Sequence, residues 1–332
     1  MSQNSATRRS VVLKHRPTGA PRREDFEIRE DAIPQVAPDQ VVTRTLWLSI
    51  DPYMRGRLRE QQLYAQPVNP GDVMTGETVG EVIASAHADF VPGDVVVGAR
   101  GWQTHSVSPG SQLVKLPRHG APLSAYLGVL GMPGATAYRG ISEICQPKKG
   151  ETVVVSAASG AVGSVAGQLA KRAGARVLAT ASSDERLLAL KPLGLDHGIN
   201  YKKDDVVQTV MSLTDKKGVN LVVDPVGGST LQGSILSLGY RGRVSMVGRA
   251  GREPMKVDVQ SLMGGNRSLS GVFLGAEIGT DRAYNNIQRL MNDVAKGELK
   301  VIIDKTFPLS EAAAAHAYIE SRKAVGRVLM VP

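Results

Sequence analysis

One stretch of the chain, residues 152–186, predicts a strand, a tight turn, a helix and a second strand in succession. Thr152–Val155 is a β-branched run typical of a buried parallel strand. Apolar residues then recur at helical spacing, and Gly174 follows where a left-handed residue commonly ends a helix. Arg176–Thr180 is a second apolar run. Because parallel strands need a crossover connection, this unit predicts an α/β domain with a parallel sheet.

The turn inside this unit carries a dinucleotide-binding fingerprint with one substitution. Ala158, Gly160 and Gly163 match the pattern G-x-G-x-x-G, with alanine in the first place. Gly160 would let the backbone approach a pyrophosphate, and Gly163 would let the helix pack closely on the strand. The helix N-terminus would face the phosphates. The position between a strand and a helix favours a bound dinucleotide over an empty structural turn.

The residues after the second strand bear on the choice of cofactor. NAD sites carry an Asp or Glu about 20 residues after the glycines, to bind the ribose 2′-hydroxyl. Thr180–Ser183 holds no acid, and Asp184 and Glu185 precede an apolar helical run as first-turn helix acids do. Arg186 and the pair Lys202–Lys203 are cations that could bind a 2′-phosphate or could be solvated charges. The pattern favours NADPH.

Composition limits the remaining classes. A chain of 332 residues predicts about two domains, and it contains no apolar run of about 18 residues that would predict a membrane span. One cysteine, Cys145, excludes an internal disulfide framework and indicates a reducing, cytoplasmic setting. The net charge of +9 could suggest nucleic acid, but the basic residues are scattered. An anionic cofactor and a solvated surface explain this charge better, so no nucleic-acid partner is expected.

The pattern along the chain separates two regions and a tail. Residues 11–128 lack strand–helix alternation and predict a small, partly open β-barrel. Residues 129–300 alternate strands with helices and predict six parallel strands in a doubly wound sheet. Residues 301–332 form a β–α–β tail that we expect to return to the first domain. The strands predicted before and after the fingerprint are Val41–Ser49, Gly71–Thr78, Val79–Ser85, Val91–Val97, His197–Asn200, Val219–Asp224, Gly242–Val247, Ser268–Leu274, Val301–Phe307 and Val325–Val331. The helices are Ala137–Cys145, Leu187–Leu193, Val206–Leu213, Thr230–Leu238, Asp281–Lys296 and Glu311–Ser321.

With these features, nearly the whole chain resembles the medium-chain dehydrogenase/reductase superfamily. Its first 145 residues resemble the alkenal/one and 15-oxoprostaglandin reductase group, which includes bacterial curcumin reductases. The Asp-Pro-Tyr-Met-Arg run at 51–55 is specific to that group. The segments that carry the resemblance are Arg16–Pro21, Leu48–Gly56, Gly101–Ser106, Gly131–Tyr138 and Glu143–Cys145.

The resemblance implies both the domains and the cofactor contacts. It implies a GroES-like catalytic and substrate domain at 1–128 and 301–332, a Rossmann NADPH-binding domain at 129–300, and a homodimer. Arg186 stands where the family has a lysine for the 2′-phosphate, and the loops 247–251 and 272–275 would bracket the nicotinamide. The cofactor-binding residues that it implies are Met132, Thr136, Gly160, Ala161, Val162, Gly163, Arg186, Tyr201, Pro225, Val247, Gly248, Arg249, Val272, Phe273 and Leu274.

No metal is expected. Where zinc alcohol dehydrogenases of this superfamily have a Gly-His-Glu ligand motif, this chain has Gly76-Glu77-Thr78, and Ser49 or Asp51 stands at the first ligand cysteine. Zinc prefers several Cys and His ligands. The histidines show no ligand spacing; they are His15, His87, His105, His119, His197 and His316.

Without a metal to polarise a carbonyl, reduction of an activated C=C bond fits better than alcohol oxidation. Hydride would reach the β-carbon of an enone, and the carbonyl oxygen, where negative charge develops, would need a hydrogen-bond donor. Tyr53 is the candidate, because a phenol is a suitable donor at neutral pH. Reduction also requires a proton at the α-carbon. In the other interpretation Tyr53 only packs the turn beneath the site, and water or the cofactor ribose supplies this proton.

Two other functions remain open. This chain has Asp224-Pro225-Val226-Gly227 where the group often has Asp-Asn-Val-Gly, and Ala324 where it often has asparagine. Both departures resemble quinone oxidoreductases, so the alternative to an enone, alkenal or curcumin-like substrate is a quinone. A minor alternative is a protein that binds NADPH or RNA without turnover.

Overall fold

The protein is described by a computed structural model, which covers residues 7–61, 65–117, 120–276 and 280–332. It divides into two compact units. Unit 1 comprises Met1–Leu127, Ile303–Ala324 and Val328–Pro332, and unit 2 comprises Gly128–Ile302 and Val325–Arg327. Among the described residues, no helix has the length and apolar character needed to cross a membrane.

The described elements are these, in chain order. The strands are β1 (Thr7–Leu13), β2 (Phe26–Ala32), β3 (Gln40–Ser49), β4 (Glu77–Ser85), β5 (Val95–Ala99), β6 (His105–Pro109), β7 (Val114–Lys115), β8 (Thr152–Val155), β9 (Arg176–Ala181), β10 (His197–Asn200), β11 (Val219–Asp224), β12 (Leu238–Met246), β13 (Ser268–Gly271), β14 (Ile303–Pro308) and β15 (Arg327–Val331). The helices are α1 (Met54–Arg57), α2 (Met132–Tyr138), α3 (Ala161–Arg172), α4 (Asp184–Leu190), α5 (Val206–Leu213), α6 (Gly228–Leu236), α7 (Gln260–Met263), α8 (Asp281–Ala295) and α9 (Ala312–Glu320), and a π-helix, Arg139–Cys145, continues α2.

Unit 1 is built mainly from antiparallel strand pairs. β1 pairs with β2, and a larger sheet has the order β14-β15-β3-β4-β5-β7, with β6 also paired to β3. Buried side chains that include Leu48, Met54, Trp102 and Met330 form one core, so the C-terminal strand completes the packing of the first half of the chain. The predicted separate antiparallel-rich N-terminal domain is confirmed.

Two strands predicted in unit 1 have the wrong bounds. Of the predicted strand Gly71–Thr78, only Glu77 and Thr78 lie in a strand, β4; Gly71 has a φ of +93°, and Val73 forms an isolated bridge to Val12. The strand predicted at Val91–Val97 begins at Val95, because the residues before it form a turn in which Gly93 has a φ of +91°. Short apolar runs had suggested these strands, but the glycines beside them form the turns.

Unit 2 contains the predicted six-stranded parallel sheet, and its strand order is β10-β9-β8-β11-β12-β13. The bounds of β8, β10, β11 and α5 coincide with those predicted from the sequence. The strand order reverses between β8 and β11, so these two neighbours form the topological switch point. In sheets of this kind, ligands bind beyond the carboxyl ends of the strands at that point.

Several helix ends in unit 2 differ from the prediction. α4 begins at Asp184 rather than Leu187, because the Ser183 side chain caps it by accepting a hydrogen bond from the Arg186 N–H. The helix after residue 130 begins at Met132 rather than Ala137 and becomes a π-helix. Apolar periodicity does not register an N-cap or a change of helix type, so it misplaces these ends.

Candidate active site

The turn between β8 and α3 suits close contact with a phosphate group. Gly160 is the N-cap residue of α3, and no side chain caps this helix. The first N–H groups of α3 therefore keep their capacity to bind an anion. A Cβ on Gly163 would lie 2.5 Å from the Ala157 carbonyl oxygen and 2.8 Å from the Ala158 Cα, so only glycine fits there. These residues fit a dinucleotide pyrophosphate.

A segment from the C-terminal part of the chain also contacts this turn. Gly326 donates its N–H to the Ser159 carbonyl oxygen at 2.6 Å and forms an isolated parallel bridge with Gly160. A Cβ on Gly326 would lie 2.6 Å from the Ile302 oxygen, and its φ is +87°, so glycine is required. The sequence pattern did not predict this contact. The available signal was an isolated glycine inside a strand pattern, which often marks a close backbone approach.

Asp224 joins the two turns at the switch point. It is fully buried at the end of β11, and its Oδ1 accepts hydrogen bonds from the Ser156 hydroxyl at 2.8 Å and from the N–H groups of Val226 at 2.7 Å and Gly227 at 3.2 Å. Burial raises the pKa of this carboxyl, against the hydrogen bonds, which lower it. The turn after β8 and the turn after β11 are therefore fastened to one carboxylate.

The predicted nicotinamide loops lie next to one another at this end of the sheet. The Pro225 carbonyl oxygen accepts a hydrogen bond from Ala250, and the Val226 oxygen accepts one from Gly251, so the loops after β11 and β12 are paired. The loop after β13 joins them through the Val272 N–H, which donates to the Met246 oxygen at 2.9 Å. The structure thus brings together the predicted site residues Pro225, Val247, Gly248, Arg249, Val272, Phe273 and Leu274.

The predicted 2′-phosphate residues lie beyond β9 and β10. Arg186, in the first turn of α4, donates from its guanidinium to the Ser182 hydroxyl at 2.8 Å. Tyr201 follows β10 and is 37% exposed. Lys202 and Lys203 are not equally available to a 2′-phosphate, since Lys203 already forms an ion pair with Asp184 at 2.5 Å.

Met132 and Thr136 lie one turn apart on α2, which packs against α3. The Thr136 hydroxyl donates to the Met132 carbonyl oxygen at 2.7 Å, and the threonine is buried. A Cβ on Gly134, between them, would lie 1.8 Å from the Val129 carbonyl oxygen, so the start of this helix is held against the preceding backbone. Both predicted residues therefore have fixed positions in unit 2.

Tyr53 lies in unit 1 at the N-terminus of the short helix α1. Its carbonyl oxygen accepts the Gly56 N–H at 2.9 Å, and its ring packs against the core that contains Met54. Arg55 forms an ion pair with Glu320 at 3.2 Å and donates to the Gly19 carbonyl oxygen, which ties α1 to its surroundings in unit 1. The ring is partly buried against this core, which is compatible with both interpretations of Tyr53.

The residues aligned with zinc ligands have other roles. The Ser49 hydroxyl accepts the Glu77 N–H at 3.0 Å, and a Cβ on Gly76 would lie 2.7 Å from the Trp102 indole nitrogen. Cys145 is buried, and burial raises its thiol pKa to about 12. Within the described ranges, no group of three or more His, Cys, Asp or Glu residues could hold a metal ion; His119 lies outside those ranges.

Comparison with known proteins gives the class. The family model described as the N-terminal domain of oxidoreductase matches residues 9–116, and the model described as zinc-binding dehydrogenase matches residues 161–296. The chain belongs to the medium-chain dehydrogenase/reductase superfamily, in its alkenal/one reductase group.

Individual relatives span most of the chain. The NADPH-dependent curcumin reductase of Escherichia coli (strain K12) is 41% identical over 75% of this chain and 72% of the relative. The NADP(+)-dependent 2-alkenal reductase of Nicotiana tabacum is 40% identical over 72% of each chain. Among solved structures, CurA of Vibrio vulnificus in complex with NADPH superposes with a TM-score of 0.89, at 32% identity, over 97% of this chain and 98% of that one.

Proposed function

We propose that this protein is an NADPH-dependent reductase that transfers hydride to the activated C=C bond of α,β-unsaturated aldehydes and ketones, including curcumin-like substrates. The observation that carries the proposal is the set of loops at the carboxyl ends of β8, β11, β12 and β13, in a chain whose relatives are NADPH-dependent reductases of such compounds. The Asp224 carboxylate joins the turns after β8 and β11, and backbone hydrogen bonds join the loops after β12 and β13 to them. We place the protein in the cytoplasm, a reducing compartment, because its one cysteine, Cys145, cannot form an internal disulfide.

Within this function each unit has its own task. NADPH, when bound, supplies a hydride for the β-carbon of the substrate. In unit 2, Gly160–Gly163 bind the pyrophosphate, Arg186 and Tyr201 bind the 2′-phosphate, and the other predicted residues hold the nicotinamide. In unit 1, the Tyr53 hydroxyl donates a hydrogen bond to the substrate carbonyl oxygen as negative charge develops there. The enolate then takes a proton at its α-carbon, which completes the reduction of the C=C bond. We therefore assign substrate chemistry to unit 1 and cofactor binding to unit 2.

The competing substrate class is a quinone, favoured by Pro225 and Ala324, where the alkenal/one reductases often carry asparagine. A screen of NADPH oxidation with enals, enones, curcumin-like diketones and quinones separates the two. The proposal requires kcat/KM for an enal or enone to exceed that for the quinones, and the opposite order would favour quinone reduction.

NADPH is expected to bind at least about tenfold more tightly than NADH, a difference of about 1.4 kcal/mol. The reason is that no acid ends β9 and that Arg186 lies just beyond it. Arg186→Ala should remove most of the preference, whereas Arg176→Ala, at the amino end of β9, should retain it. Titration of each variant with both cofactors measures the ratio of the NADH and NADPH dissociation constants. Equal affinities in the wild type would contradict the assignment of NADPH as the cofactor.

Activity is expected to be independent of metal. Cys145 is the one cysteine of the chain, and Gly76-Glu77-Thr78 replaces the zinc-ligand motif. Extended dialysis against a chelator should leave the rate of enone reduction unchanged. Stoichiometric zinc in elemental analysis, lost together with activity, would overturn this expectation.

We also infer a homodimer. β13 ends the strand order of the parallel sheet, and an uncovered strand edge is an aggregation hazard that pairing with a second copy would remove. Light scattering at micromolar concentration should give twice the monomer mass of 35.3 kDa. A mass near that of the monomer would count against the dimer.

A further inference from the structure

Asp184 is the acid nearest to the position that binds the ribose in NAD-dependent proteins. It follows the last residue of β9, Ala181, by three positions, and it is 21 residues beyond Gly163. An acid about 20 residues after the fingerprint would accept the ribose 2′-hydroxyl and repel a 2′-phosphate. A protein that binds NADPH must therefore neutralise this negative charge or keep it away from the 2′-phosphate.

Both oxygens of the Asp184 carboxylate are occupied. Oδ1 accepts a hydrogen bond from Asn200 Nδ2 at 2.7 Å, and Oδ2 accepts one from Lys203 Nζ at 2.5 Å. The hydrogen bond from Lys203, with that from Asn200, lowers the pKa of Asp184, and the same contact raises the pKa of Lys203. Both residues are therefore charged at neutral pH, and the pair is neutral as a whole.

Asn200 fixes both members of this pair. It is buried at the end of β10, and its Oδ1 accepts the Lys202 N–H at 3.2 Å, so its amide nitrogen faces Asp184. Its carbonyl oxygen accepts the Lys203 N–H at 2.9 Å, which sets the start of the lysine side chain. The turn after β10 therefore places the backbone of Lys203 close to Asp184, and the exposed lysine side chain completes the ion pair.

We propose that Lys203, placed by Asn200, neutralises Asp184 and that this pairing makes the site accept a 2′-phosphate. Lys203 then determines cofactor specificity through Asp184 rather than by binding the phosphate itself. The inference rests on the proposed use of NADPH and adds a residue pair to it.

The test is a double-variant cycle with cofactor dissociation constants as the readout, measured by fluorescence titration of NADPH and NADH. Lys203→Met leaves Asp184 unneutralised, so NADPH binding should weaken about three- to tenfold while NADH binding changes less than about twofold. Because the groups are exposed, the loss should shrink at high salt. Lys217→Met, before the amino end of β11, makes the same charge change and should alter neither constant.

The double variant Asp184→Asn/Lys203→Met decides between the two roles of the lysine. If Lys203 acts by neutralising Asp184, the double variant regains NADPH affinity within about twofold of the wild type. If it remains as weak as Lys203→Met, the lysine binds the phosphate directly and the inference is wrong. A wild type that binds NADPH and NADH equally would instead remove the proposed cofactor, and this inference with it.

Discussion

Tyr53→Phe is expected to lower the turnover of an enone by roughly 10²–10³, which corresponds to about 2.7–4 kcal/mol. The substitution removes one hydroxyl donor and keeps the ring, which packs against the core of unit 1. NADPH affinity should hardly change, because the proposed cofactor residues belong to unit 2. A lower kcat at unchanged cofactor affinity marks an interaction made mainly in the transition state.

Tyr53→Ala provides the comparison. If the tyrosine serves only to pack the turn, phenylalanine should give near-normal turnover and only alanine should impair it. Both variants should be measured on one enone under conditions in which chemistry limits the rate. If Tyr53→Phe keeps more than about half of the wild-type rate, the ribose hydroxyl or a bound water becomes the better proton donor.

Asp224→Ala is expected to lower the free energy of unfolding of unit 2 by about 3–5 kcal/mol. The substitution leaves the Ser156 hydroxyl and the N–H groups of Val226 and Gly227 buried without their acceptor. Because those groups hold the turns after β8 and β11 together, NADPH binding should weaken as well. Asp224→Asn should lower the free energy of unfolding much less, since the amide oxygen of asparagine can accept the same hydrogen bonds without a buried charge.

The stability of the Asp224 variants must be measured with a signal that comes from unit 2. Both tryptophans, Trp47 and Trp102, lie in unit 1, so their fluorescence reports on the wrong unit. Hydrogen exchange in peptides that contain β8 and β11 measures the loss directly. Unchanged protection of these strands in Asp224→Ala would show that the carboxylate does not join the turns.

The sequence predicted those parts of the fold whose signals are local. The strand, glycines and helix of the fingerprint are consecutive, and a parallel sheet needs regular crossovers, so the six strands of unit 2 could be found. The strands of the antiparallel unit were harder to place, because the apolar runs near Gly71 and Gly93 are short and do not show where the turns at these glycines end. The start of α4 was misplaced for a different reason, because apolar periodicity does not register the capping hydrogen bond at Ser183.

The candidate site was predictable only where a motif is contiguous. Ser156 and Asp224 are 68 residues apart, and nothing in the spacing of either indicates their hydrogen bond. Asn200 and Asp184 likewise meet only because β10 lies beside β9 in the sheet. Contacts of this kind depend on the order of strands and on side-chain direction, which the sequence pattern leaves open.

The C-terminal tripeptide Val325–Arg327 affects how such a protein can be divided. The chain changes units at 127/128, 302/303, 324/325 and 327/328. A gene fragment that ends at residue 302 encodes every strand of the parallel sheet, yet it loses the Gly326 contact with the Ser159 oxygen and takes β15 away from β3. Recombination, natural or in the laboratory, therefore cannot exchange either unit as one continuous cassette. A chimera that swaps substrate ranges between relatives must transplant both ends of the gene and still retain this glycine.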